Sequence, residues 1–139
     1  YELNIRDWSS DVCSSDLVAD IEGLTLYGQG EEGGYLLLSS QGDDTVHVLT
    51  RGDRPAFVAR FRVGLNEAEG IDGAQDTDGI AAHAGDLGPA FPDGLVVVQD
   101  GFNVGEDLSR DGRTADDEPV APQNFKLIDW RSIAPLLSR

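Results

Sequence analysis

Residues 21–63 read IEGLTLYGQGEEGGYLLLSSQGDDTVHVLTRGDRPAFVARFRV, and the punctuation of this stretch decides the fold. Ile21–Tyr27 follows a carboxylate-rich entry and supplies Leu24, Leu26 and Tyr27 for burial, which predicts a strand. Residues 28–34 are a glycine-rich turn, and Tyr35–Ser40 is an apolar run expected to form a second, buried strand. Residues 41–44 turn again. Thr45–Thr50 alternates, with Val46 and Val48 on one face. Residues 51–55 carry Gly52 and Pro55, and residues 56–63 predict a fourth strand. Short strands separated by regular turn signals specify an all-β sandwich, barrel or propeller. Four antiparallel strands in roughly 45 residues is the size of one propeller blade.

The chain beyond this stretch is sparser. Residues 64–79 form a long acidic loop, and residues 80–82 predict a short strand. Residues 84–94 are a loop with Pro89 and Pro92, and the Leu/Val run 95–99 predicts a buried strand. Residues 101–122 are long and polar, in the manner of an insertion. Residues 124–128 predict the last strand. Asp129 is placed to N-cap a short C-terminal helix over 130–137, which Pro135 should shorten. One blade and parts of a second are expected, with open sheet edges and unburied faces.

The first seventeen residues have no hydrophobic period of either kind. Asp7-Trp8-Ser9-Ser10-Asp11-Val12-Cys13-Ser14-Ser15-Asp16-Leu17 resembles the translated frame of a DNA-sequencing adapter fused to a truncated gene. Residues 1–17 are therefore read as a non-native leader, the alternative being a disordered Ser/Asp linker, and residues 18–139 as the domain. Cys13 is the only cysteine and goes with the leader.

With 139 residues the chain is at most one domain. Its net charge of −16, from 26 acidic and 10 basic residues, repels nucleic acid and anionic membranes, so neither is expected as a partner. The same charge repels a polyanionic substrate unless cations bridge the two. No apolar run approaches the roughly 18 residues that span a membrane, and no signal peptide is visible.

The residues that could carry chemistry are acidic. Asp20 and Glu22 are two apart at the mouth of the first strand, where alternation would place them on one face. Asp72, Asp76 and Asp78 form a second cluster, and Asp100 ends the Leu/Val strand. Paired carboxylates suit a hard cation such as Ca²⁺, which takes six to eight oxygens. Each also has an ordinary structural reading: a solvated pair, an Asx-type turn, a plain turn residue. The acidic loop fails the EF-hand pattern, because Ala74 and His83 stand at its third and twelfth positions when counted from Asp72. His47 and His83 have no partners at metal-ligand spacing and are read as ordinary surface or core histidines. A Cys-x5-Arg phosphatase loop is excluded because Ala19 stands where the arginine is needed, and no Arg-His-Gly motif or P-loop is present.

Taken together the motifs resemble the late blades of bacterial β-propeller phytases. The resemblance runs through Asp20-Ile21-Glu22-Gly23-Leu24-Thr25, Gly34-Tyr35-Leu36, Ser39-Ser40-Gln41-Gly42, Asp72-Gly73 and Asp76-Thr77-Asp78-Gly79-Ile80. It continues, in order, through Leu87-Gly88-Pro89, Phe91-Pro92, Gly94, Gln99-Asp100-Gly101 and Gln123-Asn124-Phe125-Lys126 to Trp130. It implies the last one to two blades of a six-bladed propeller, from a secreted or periplasmic enzyme that is monomeric at full length. It implies Ca²⁺-dependent hydrolysis of phytate, myo-inositol hexakisphosphate, bound as its calcium complex. By motif, Asp20 and Glu22 would be active-site calcium ligands. Asp78 and Asp72 would hold calcium near the site, Gln41 would contact phosphate, and Asp100 would be a structural ligand. Residues 102–122 exceed the family pattern, and the earlier blades, which supply basic residues and further acidic ligands, are missing. Two other readings compete: a calcium-binding, propeller-derived scaffold module without catalysis, and an adhesion module using Arg51-Gly52-Asp53.

Overall fold

The computed structural model describes residues 20–28, 33–103 and 123–138. The leader with Cys13, most of the 28–34 turn and nearly all of the 102–122 loop lie outside the described residues. The chain folds as two antiparallel sheets followed by a short C-terminal helix. The first sheet has the order β1-β2-β3-β4, with β1 Ile21–Tyr27, β2 Tyr35–Ser40, β3 Thr45–Thr50 and β4 Phe57–Phe61. The second has the order β5-β6-β7, with β5 Ile80–His83, β6 Leu95–Asp100 and β7 Asn124–Asp129. The all-β expectation holds, as one four-stranded unit followed by three strands of a second; no closed barrel forms among the described residues.

Turn chemistry fixed most strand ends. Gly34 has φ 89°, a conformation open to glycine, where the chain enters β2. Residues 41–43 wind into a 3-10 turn closed by the Asp44 N–H to the Gln41 carbonyl, with Asp44 left-handed at φ 55°. The fourth strand is shorter than expected, because its pairing with β3 slips between Val48 and Leu49.

Alternation then selects the core. Ser39 pairs with Gly23 and Val46, Leu37 with Thr25 and Val48, and Val46 with Phe61. Leu37, Val46, Val48 and Phe61 therefore share one face and are buried. Across from them the second sheet presents Val96, Val98 and Ile128, all at 0% exposure, and the core is a single cluster spanning both sheets. Thr25 Oγ1 accepts the Ala82 N–H at 3.2 Å, so β1 and β5 are also tied directly. The outer faces are covered only in part, Leu38 and His47 being buried there. Leu24 (62% exposed) and Leu26 (46%) face away from the core in β1, as do Phe125 (65%) and Leu127 (48%) in β7. These are the unburied faces expected of a partial repeat.

The C-terminal helix begins as its sequence dictates. Asp129 accepts the Arg131 N–H at 2.9 Å in the N-cap position, and α1 covers Trp130–Ile133. Pro135 cannot supply an N–H to an α-turn, and the chain tightens to 3-10 over Ala134–Ser138. The side-chain bonds from Arg131 hold the Asp129 carboxyl below the usual carboxylate range, against the opposing effect of burial. A depressed pKa contributes stability above the unfolded value, near ~4, and that stability is lost as pH falls through the folded value. Asp129→Ala should cost about 1 kcal/mol at neutral pH. It should also flatten the loss of melting temperature between neutral pH and the acid limb, read by circular dichroism at a series of pH values.

Candidate functional site

The acidic end of the first sheet is assembled by main-chain geometry. Asp20 lies just before β1 with φ 76°, a left-handed conformation that Asp tolerates better than most residues. The β1–β2 register shifts between Ile21 and Gly23, which puts a bulge at Glu22. Simple alternation therefore does not place this pair, as the sequence pattern had suggested. A left-handed residue and a bulge place it, and both side chains are exposed.

Asp78 is brought to the same place from the long acidic loop. Gln41 donates its backbone N–H to the Asp20 carbonyl at 3.0 Å and its side-chain Nε2 to Asp78 Oδ1 at 2.6 Å. One residue thus ties the β1 entry to the loop. Ser39, fully buried, donates its hydroxyl to the Asp78 carbonyl at 2.7 Å. Gln99 completes the grip, its Oε1 accepting the Gly79 N–H at 3.2 Å and its own N–H bonding the Gly79 carbonyl at 2.8 Å.

Gly23 is the reason the loop can lie so close. A Cβ at this position would stand 2.6 Å from the Asp78 carbonyl oxygen, 2.7 Å from Ser39 Oγ and 2.9 Å from Ile80 Cγ2. All three are fixed by hydrogen bonding or packing. Gly23→Ala should push the Asp78 segment outward and cost about 1–3 kcal/mol by overpacking. Urea unfolding of the variant beside the parent chain measures this.

Asp72 and Asp100 are placed together, in a different cluster. Lys126, on β7, contacts Asp72 Oδ1 and lies 3.0 Å from Asp100 Oδ2. All three residues are buried. Asp100 Oδ1 accepts the backbone N–H groups of Gln75 at 3.1 Å and Phe102 at 3.3 Å. Asn103 Oδ1 stands 3.4 Å from Lys126 Nζ and accepts Asn124 Nδ2 at 2.7 Å.

A third set of acids serves the loop's own geometry. Asp44 Oδ1 accepts the Asp76 N–H at 2.7 Å. Burial pushes the Asp43 carboxyl up, but bonds from Thr45 and Ser40, with His47 and Arg62 nearby, hold it below its ordinary value.

Of the residues singled out in the sequence, Asp20, Glu22, Gln41 and Asp78 thus gather at one sheet end, while Asp72 and Asp100 belong to a buried ion cluster. Among the described residues no three His, Cys, Asp or Glu side chains converge as a metal site. His47 is fully buried edge-on to Phe57, and His83 is exposed. Arg51-Gly52-Asp53 occupies the β3–β4 turn, with Gly52 and Asp53 exposed. Sequence reasoning passed over Ser39, Gly23, Gln99 and Lys126. Its one available signal was a polar residue on the inward face of an apolar strand, as at Ser39 and Lys126.

A family model described as Phytase matches residues 4–139 of this chain. A 3-phytase of Bacillus subtilis (strain 168) is 40% identical to it over 118 residues, which is 85% of this chain and 28% of that protein.

Proposed function

The chain belongs to the phytase family, and on that premise we propose that it is a late portion of a calcium-dependent phytase. The reaction would be hydrolysis of a phosphomonoester of myo-inositol hexakisphosphate, the substrate being held as a calcium complex. The proposed fold of the whole enzyme is a propeller to which the two sheets contribute one blade and part of the next. A secreted or periplasmic setting follows from the same reading; in the structure, no described helix is long and apolar enough to cross a membrane.

The observation that carries this reading is the double bridge of Gln41. It joins the Asp20 backbone and the Asp78 carboxylate, which are far apart in sequence, at the exposed end of one sheet. The donor chemistry fits calcium: Asp20, Glu22 and Asp78 offer only oxygen. Among the described residues no three such side chains converge to hold a metal, well short of a shell of six to eight oxygens. Phosphate oxygens, water and other residues would complete it.

In this reading calcium, when bound, supplies charge neutralisation and an activated water for attack on phosphorus. Asp20 and Glu22 would hold the cation, and the bulge keeps their side chains in solvent. Gln41 fixes the direction of the Asp78 carboxylate. The net charge of −16 makes cation bridging a condition of binding any polyanion here.

Isothermal titration of calcium into the chain tests this directly. Heat of binding is expected for the chain, with affinity falling at least tenfold for Glu22→Gln and for Asp78→Asn. Unchanged titrations for both variants would refute the site. The chain spans 28% of the length of the relative it matches. On phytate alone it is expected to release no phosphate above background, because by resemblance the earlier blades supply the basic residues that grip phosphate. Measured turnover by the purified chain would overturn that expectation.

A further inference from the structure

We propose that the Lys126 ammonium is the resident cation of the Asp72–Asp100 pair, so that this pair holds the fold together without calcium and confines metal to the Asp20, Glu22 and Asp78 end. The confinement rests on the calcium reading above; the role of Lys126 does not. By resemblance both aspartates were expected to be calcium ligands. The structure gives them a different partner.

The geometry is specific. Lys126 contacts Asp72 Oδ1 and lies 3.0 Å from Asp100 Oδ2, with the lysine side chain 5% exposed and that of Asp100 at 0%. The other Asp100 oxygen is taken by two backbone N–H groups, from Gln75 and Phe102. Asp100 Oδ1 is thus committed to the main chain, and the buried Oδ2 faces the ammonium at ion-pair distance without a hydrogen bond. A divalent cation bound between the same carboxylates would lie beside a buried ammonium, and like charges in a low-dielectric interior repel strongly. It would also need six to eight oxygens, and among the described residues Asn103 Oδ1 already accepts from Asn124 and lies 3.4 Å from the ammonium.

The placement has a structural consequence. Asp72 lies on the acidic loop, Asp100 at the end of β6 and Lys126 on β7. The ammonium therefore clamps the loop that carries Asp78 onto the second sheet. A metal in this position would make the clamp depend on calcium concentration. A lysine makes it permanent, and the loop is held in place before calcium reaches Asp78.

The test uses Mn²⁺ as a paramagnetic stand-in for calcium, read by NMR on the isotope-labelled chain. The expected result is no selective broadening of Asp72 and Asp100, and a Lys126 Nζ ammonium resonance that is protected from exchange and unmoved by millimolar calcium. Selective, calcium-competed broadening at Asp72 and Asp100, or loss of the ammonium signal on calcium addition, would overturn the proposal. Broadening at Asp20 and Glu22 in the same spectra decides the calcium reading separately, so the two can fail independently. In Lys126→Met the pair loses its cation, and selective Mn²⁺ broadening should appear at Asp72 and Asp100. A folded variant that shows none would count against the proposal. If the variant does not fold, the two measurements on the unaltered chain still decide.

Discussion

Trp130→Ala is expected to remove about 3–5 kcal/mol of stability, the range for truncating a large buried aromatic. Trp130 is 7% exposed and stacks on Tyr27, with ring centroids 3.3 Å apart and planes 11° from parallel. Tyr35 lies on it at 5.8 Å. The residue thus joins β1 and β2 of the first sheet to the end of the second. Its N–H bonds the Gly94 carbonyl at 3.2 Å, and the Tyr27 hydroxyl bonds the Asp93 carbonyl. Alanine keeps the backbone bond but opens a void where both tyrosine rings pack. Natural domains retain only about 5–15 kcal/mol in total, so urea unfolding followed by tyrosine fluorescence should show a large fall in midpoint. Trp130→Phe should recover most of it. Burial, with Asp93 and Asp129 nearby, raises the Tyr27 hydroxyl to about 12. Its stabilising effect is complete below the ordinary tyrosine value and is lost as pH rises toward 12.

Asp100→Ala should be of similar size, about 3–5 kcal/mol, for a different reason. Asp100 is fully buried, accepts the N–H groups of Gln75 and Phe102 and lies at ion-pair distance from Lys126. Removing it leaves two buried N–H groups without that acceptor and removes one of the two carboxylates beside a buried ammonium. A double-mutant cycle with Lys126→Met separates these costs. The coupling between the two positions should be strongly favourable. If the two losses simply add, the contact carries no energy of its own.

Much of the fold was legible because it is written in local chemistry. β1, β2 and β3 run where their apolar residues and flanking glycines put them, and Asp129 caps the helix that Pro135 then tightens. Strand ends drifted only where tertiary pairing overrode the pattern, as at β4, whose register slips at Leu49. The Leu/Val run of β6 reads as buried throughout, yet only Val96, Val98 and Asp100 are buried, because its other face is less covered.

The candidate site divides along the same line. The sequence by itself determined that carboxylates would dominate this chain, and its acidic clusters offered Asp20, Glu22, Asp72, Asp76, Asp78 and Asp100 as candidates. Those are statements about residue type and short-range order, which need no third dimension. Which carboxylates meet was decided by the tertiary structure alone. Gln41 reaches Asp78 only because the two sheets stack, and the loop reaches that sheet end only because Gly23 has no side chain. Asp72 and Asp100 meet at Lys126, on a strand far along the chain, because β7 pairs with β6 in the register that turns Lys126 inward beside Ile128. Contacts of that sequence separation leave no local periodicity behind. They arise from the packing of one sheet on another, where a buried charge is stable only if the fold delivers its partner.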